Sequence, residues 1–144
     1  MILTDSKIYI DTALFIYYLE KSNMYFNSAR KFFIDCKKRE AELFTSAVTI
    51  EEYCVYPLSN GNKQAVKNFQ SFLNGMNIRK VSVDENIALK AAEIRAKYPA
   101  FKALDSIHLA TALLSNCTTF VTNDKQLRQI KEIHVCTMEM LENE

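Results

Sequence analysis

The chain has 144 residues, a formal net charge of +1, 49% hydrophobic and 24% charged residues, and only two Gly and two Pro. That length suits one domain spanning residues 1–144, and the composition excludes a disordered, fibrous or disulfide-stapled chain. The near-zero charge excludes phosphate binding through a general basic excess, so any nucleic-acid contact must be local.

Short strands and longer helices alternate along the chain. Lys7-Ile8-Tyr9-Ile10 reads as a strand ending at Asp11-Thr12, followed by a largely buried helix over 13–19. From 25 to 39, Phe26, Ala29, Phe32, Phe33 and Cys36 recur at three- and four-residue steps, the spacing of an amphipathic helix. Leu43-Phe44-Thr45 is the next strand. Thr45 or Ser46 then caps a helix that carries Glu51 and Glu52 and is expected to stop at Pro57.

Asn60-Gly61-Asn62 marks a turn, and Ala65, Val66, Phe69, Phe72 and Leu73 mark a helix stopped near Gly75. A strand is expected over 78–83, with Asp84 capping a helix that runs to the Tyr98-Pro99 break. Another helix, from about 104 to 115, has Asp105 in its first turn. Residues 118–122 read as a strand, Asn123-Asp124 as a turn or cap, 125–129 as a short helix, and Ile133-His134-Val135 as the approach to a last helical turn. This alternation predicts a helix-rich three-layer α/β/α sandwich on a short central parallel sheet.

Cys36, Cys54, Cys117 and Cys136 lack zinc-site spacing and are expected to be buried free thiols in a reducing compartment. The Met1-Ile2-Leu3-Thr4-Asp5 start has no leader-like pattern, and no apolar run approaches the roughly 18 residues that span a bilayer. A cytosolic protein with no membrane contact is the expectation. Basic groups at Lys37-Lys38-Arg39, at Arg79-Lys80, around Arg95, Lys97 and Lys102, and at Lys125, Arg128 and Lys131 read as solvated helix faces or local phosphate contacts. The aromatic-rich helices around Phe15 to Tyr18 and Phe26 to Phe33 suggest a surplus of apolar surface, hence a homodimer.

Four acids carry the chemistry. Asp11, Asp105 and Asp124 sit at junctions expected on the carboxyl edge of the sheet, with a helical Glu between them in sequence. Singly, each Asp also reads as a helix cap, and Thr49-Ile50-Glu51-Glu52 spells a capping box. Jointly they form a pocket of hard oxygen ligands, which selects Mg²⁺ or Mn²⁺ over zinc. Spacing alone does not choose between Glu51 and Glu52. His108 and His134 read as isolated packing or surface residues.

These residues resemble a known family. The Lys7-Ile8-Tyr9-Ile10-Asp11-Thr12 block, the run from Thr45 through Glu52 to Pro57, Ala103-Leu104-Asp105-Ser106-Ile107-His108-Leu109-Ala110-Thr111-Ala112, and Val121-Thr122-Asn123-Asp124 resemble the motif blocks of PIN-domain ribonucleases, especially VapC-type toxins. The resemblance places the family acid of the second block on Glu52 and the others on Asp11, Asp105 and Asp124. Thr12, Thr122 and Asn123 fall at supporting polar positions. Ala13 departs from the family pattern, which often has Asn there.

The resemblance implies a PIN-like fold and a sequence-selective endoribonuclease using one or two Mg²⁺ or Mn²⁺ ions. It further implies RNA as substrate, a cognate antitoxin as partner, and a dimer. Asp11, Glu52 and Asp105 would be the main metal ligands, and Asp124 an outer ligand or an orienter of water. A competing reading is a catalytically silent PIN-fold module that binds RNA or protein, against which the four retained acids argue. A receiver or haloacid-dehalogenase-like phosphatase needs a second acid beside Asp11, and Asp11-Thr12-Ala13 offers none.

Overall fold

The computed structural model describes residues 6–143. Asp5 and the rest of the N-terminal start lie outside them. In chain order the elements are β1 (Lys7–Ile10), α1 (Thr12–Leu19), α2 (Phe26–Lys38), β2 (Glu42–Ser46), α3 (Ala47–Ser59), α4 (Lys63–Gly75), β3 (Arg79–Val81), α5 (Glu85–Lys97), α6 (Ala103–Leu114), β4 (Thr119–Thr122), a 3-10 helix (Lys125–Gln129), β5 (His134–Thr137) and α7 (Met138–Glu142).

All strand pairings are parallel, in the order β3-β2-β1-β4-β5. The chain builds outward from β1 to β3 on one side, then crosses back to lay β4 on the other side of β1. The order therefore reverses between β1 and β4, and at such a reversal the two adjoining loops part to leave a crevice at the carboxyl edge. Ile10 pairs with Val121, and the Asp11 N–H donates to the Val121 carbonyl, which brings the ends of these two strands together.

Side-chain alternation divides the core into two layers. Ile8, Ile10, Leu43, Val121 and Cys136 point to the face covered by α1, α2, α3, α4 and α7. Tyr9, Phe44, Phe120 and Val135 point to the face covered by α5 and α6. This is the three-layer α/β/α arrangement that the strand and helix alternation predicts. Phe15 and Phe69 are fully buried in the first layer, where truncation of such a ring to Ala typically costs about 3–5 kcal/mol.

Several boundaries differ from the sequence expectation. The α3 helix runs through Pro57 and ends at Ser59. Pro57 lies buried in the last turn, so its missing N–H removes only one hydrogen bond from an end whose carbonyls are capped by the Asn60, Gly61 and Asn62 N–H groups. The strand expected over 78–83 is only three residues, because this edge strand leaves Arg79 and Lys80 exposed. Asn77, not Gly75, takes the left-handed conformation after α4, with φ 54°, which Asn tolerates through its short polar side chain.

All four cysteines are buried thiols, and none forms a disulfide. Burial pushes the Cys36 and Cys117 thiols up to about 12, so they stay protonated and unreactive. Phe15, Phe32 and Phe33 belong to the core, while Ile16 on α1 and Ile34 on α2 stay exposed and Tyr17, Tyr18 and Phe26 are half-buried. The larger exposed apolar side chains include Val55, Tyr56 and Leu58 on α3. Among the described residues, no helix is long and apolar enough to cross a membrane.

Candidate active site

Asp11 leaves the end of β1 and caps α1, accepting at Oδ1 from the Thr12 N–H at 2.8 Å. Its other oxygen accepts from the Thr122 hydroxyl at 2.6 Å, across the parting of β1 and β4. Thr122 is fully buried at the end of β4, and its hydroxyl also accepts from the Asp124 N–H at 3.1 Å. Asp124 then caps the 3-10 helix by accepting from the Gln126 N–H at 2.9 Å. Asp11 and Asp124 are thus helix caps and neighbours at the crevice, so the two roles coexist.

Asp105 approaches from α6. It is not the cap of that helix, since Lys102 holds that position, but it sits in the first turn. Burial raises its pKa, and repulsion from Asp11 and then Asp124 raises it further, against a smaller opposing pull from His108 and the Lys102 backbone. The charges of Asp11 and Asp124 therefore both work against ionisation of half-buried Asp105.

Glu52 reaches the same edge from α3. Ser46 begins this helix by accepting from the Val48 N–H, so the capping-box alternative at Thr49 does not hold. The Thr45 hydroxyl donates to the Ile10 carbonyl at 2.9 Å and lies 2.7 Å from the Thr49 hydroxyl, tying β2 and α3 to the end of β1. Thr12 donates to Glu52 Oε1 at 2.9 Å. Glu51, one residue earlier, is exposed and turned away, so the fold separates two acids that spacing could not.

His108 corrects the expectation of an isolated histidine. It is 1% exposed, with Nε2 2.6 Å from Glu52 Oε1 and 3.7 Å from Asp11 Oδ1. Nδ1 lies 2.5 Å from the Tyr9 hydroxyl. Burial alone would lower its pKa, but the Glu52 hydrogen bond and the charges of Asp11, Glu52 and Asp105 together raise it. The His108 hydrogen bond lowers Glu52 against the opposing effect of burial. The signal available in sequence was its place three residues after Asp105, on one side of the same helix. His134, by contrast, is exposed.

Asn123 donates to the Tyr17 hydroxyl at 2.6 Å, anchoring the turn before Asp124 to α1. Ala13 is half-buried in the first turn of α1 and adds no polar group. Among the described residues, no three His, Cys, Asp or Glu side chains already converge as a coordination set. The chemistry of the donors nevertheless fits a divalent cation, because they are hard carboxylate oxygens and the pKa of Asp105 is raised by burial and then by the charges of Asp11 and Asp124. A cation there would relieve that repulsion.

The chain's fold is similar to that of VapBC2 from Rickettsia felis bound to a promoter DNA fragment, at 16% identity and TM-score 0.74, covering 91% of this chain and 98% of that one. It is also similar to DNA-bound VapBC from Salmonella typhimurium, at 17% identity and TM-score 0.72, covering 92% and 98%. A third similar structure is Mycobacterium tuberculosis VapC20, described as a sarcin-ricin loop cleaving toxin, at 13% identity and TM-score 0.69, covering 88% and 98%. No curated protein matches the chain by sequence. The PIN domain profile matches residues 8–133, most of the molecule and all four acids, and the chain belongs to the PIN-domain family.

Proposed function

We propose that this protein is a Mg²⁺- or Mn²⁺-dependent endoribonuclease that hydrolyses RNA phosphodiester bonds, acting as the toxin of a type II toxin–antitoxin pair. One observation carries the reading: at the reversal in strand order Asp11 is joined through the Thr122 hydroxyl to the Asp124 backbone and faces the His108–Glu52 pair, with half-buried Asp105 repelled by Asp11 and Asp124. Mutually repelling carboxylates at that place are costly without a cation.

Asp11, Asp105 and Glu52 would hold the metal, with Asp124 as an outer ligand or an orienter of water. A divalent ion bound there would lower the pKa of its water and neutralise charge developing on the phosphate. Thr122 and the Thr12 N–H hold Asp11 in a single orientation, while Thr12 and His108 do the same for Glu52. Asn123 braces the loop that carries Asp124. Lys102, which caps the helix carrying Asp105, would supply a local phosphate contact, as the low net charge requires, whereas Lys125 beside Asp124 pairs with Glu139 at 2.8 Å.

A similar structure is a toxin-antitoxin complex from Klebsiella pneumoniae, which supports a cognate antitoxin as partner here. A homodimer is also part of the proposal, with the exposed Val55, Tyr56 and Leu58 of α3 as its apolar surface. Light scattering at micromolar concentration checks it, and a monomer would count against it.

The test of activity uses purified protein freed of antitoxin, a broad RNA set and Mn²⁺ or Mg²⁺. Wild type cleaves, and Asp11→Asn or Asp105→Asn reduces cleavage by roughly a hundredfold or more while the fold is kept. Absence of cleavage by wild type, or equal cleavage by either variant, sinks the nuclease reading.

A further inference from the structure

We propose that His108 is a positioning residue that fixes which oxygen of Glu52 is presented to a divalent cation. The proposal rests on the reading of Glu52 as a metal ligand. Its basis is geometric. The imidazole is held on both nitrogens, by Tyr9 at 2.5 Å and by Glu52 at 2.6 Å.

Tyr9 is itself immobile. It is fully buried, stacks on Phe120 with ring centroids 5.0 Å apart and planes 5° apart, and meets the His108 ring edge-on at 5.7 Å. A hydroxyl anchored in this way sets the rotation of the imidazole, and the imidazole then sets Glu52. The neutral ring suffices, with Nδ1 accepting from the Tyr9 hydroxyl and Nε2–H donating to the carboxylate. No change of protonation is required.

Both hydrogen bonds to Glu52, from His108 and from Thr12, fall on Oε1. That leaves Oε2 free of them. A Glu side chain on a helix has several rotatable bonds, and pinning one oxygen from two directions removes most of that freedom before a cation arrives. Histidine is suited to this place because it reaches Glu52 from α6, across the edge of the sheet, without adding a fixed negative charge to the cluster. Partners that orient metal-binding carboxylates typically change metal affinity by about 10–100-fold when removed.

The test is Mn²⁺ binding to the full chain in the absence of RNA, followed by electron paramagnetic resonance, for wild type and for His108→Leu, His108→Gln and His108→Asn. Gln carries its amide nitrogen near the place of Nε2, whereas Asn falls short of Glu52. Expected are affinities about 10–100-fold weaker for the Leu and Asn variants and nearly unchanged for Gln. No imidazole nitrogen coupling to Mn²⁺ is expected in wild type.

Wild-type affinity in the Leu variant overturns the proposal, as does direct nitrogen coupling, which would make His108 a ligand. If the Leu variant does not fold, equal affinities of the Gln and Asn variants overturn it. Failure of wild type to bind Mn²⁺ overturns the metal reading itself and the proposal with it, and that result is read without any variant.

Discussion

Glu52 Oε1 and His108 Nε2 stand 2.6 Å apart, although α3 and α6 pack on opposite faces of the sheet. The contact closes over the carboxyl edge and joins the two outer layers at the acid cluster. It also links two ionisable groups whose pKa values move apart, Glu52 down and His108 up.

That divergence predicts a pH window for the metal-free protein. Glu52, lowered in the fold, contributes stability that is fully present above its usual value of 4.5 and is lost as pH falls through the lowered value. His108, raised in the fold, contributes stability that is present below its usual 6.5 and is lost as pH rises through the raised value. The contribution of the pair is therefore greatest between about 4.5 and 6.5. Thermal unfolding in chelator across this range should show the window for wild type and a flattened profile for Glu52→Gln. Superimposable profiles would refute the coupling.

Two of the acids should respond oppositely to removal of charge. Asp11→Ala deletes the cap of α1 and the acceptor of the Thr122 hydroxyl, and is expected to cost about 1–2 kcal/mol in urea unfolding at neutral pH. Asp105 caps no helix, and its raised pKa means that its ionised form opposes folding above that pKa, with stability gained as pH falls through it. Asp105→Asn should therefore leave the metal-free protein as stable as wild type or more so. Equal destabilisation by the two substitutions would show that Asp105 is not under electrostatic stress.

Metal should reverse that balance. A cation that binds only the folded state at a hundred times its Kd adds about 2.7 kcal/mol, which for a chain of this size raises Tm by on the order of 5–10 °C. Mn²⁺ is expected to produce such a shift in wild type and almost none in Asp105→Asn, measured by scanning calorimetry against chelator. A shift of the same size in both would place the cation elsewhere.

Helices were legible in the sequence wherever a three- or four-residue apolar rhythm met one face of the sheet, as in Phe26, Ala29, Phe33 and Cys36 of α2. The junction positions of Asp11 and Asp124 were legible for a related reason, because short polar residues end strands and begin helices at the same edge. The strand expected over 78–83 was overextended because alternation is a local signal, while strand length depends on pairing, and β3 pairs only with β2. The place of His108 one turn after Asp105 put it on the same side of α6, but its contacts were illegible because its partners lie 56 and 99 residues away, on another helix and on the first strand. No periodicity within α6 reports such contacts.

The choice between Glu51 and Glu52 offers a sharp control, since the two carboxylates are adjacent in sequence and differ only in direction. Glu51 is exposed on α3, whereas Glu52 is half-buried and held by Thr12 and His108. Glu51→Gln should leave both RNA cleavage and Mn²⁺ affinity as in wild type. Glu52→Gln keeps the volume and a hydrogen-bonding oxygen but removes the charge that a hard cation requires, so cleavage should fall by roughly a hundredfold or more. Paired assays at one protein concentration, with circular dichroism to confirm the fold, check both outcomes. Comparable losses from the two variants would mean that overall negative charge on α3, rather than the inward direction of Glu52, supports activity.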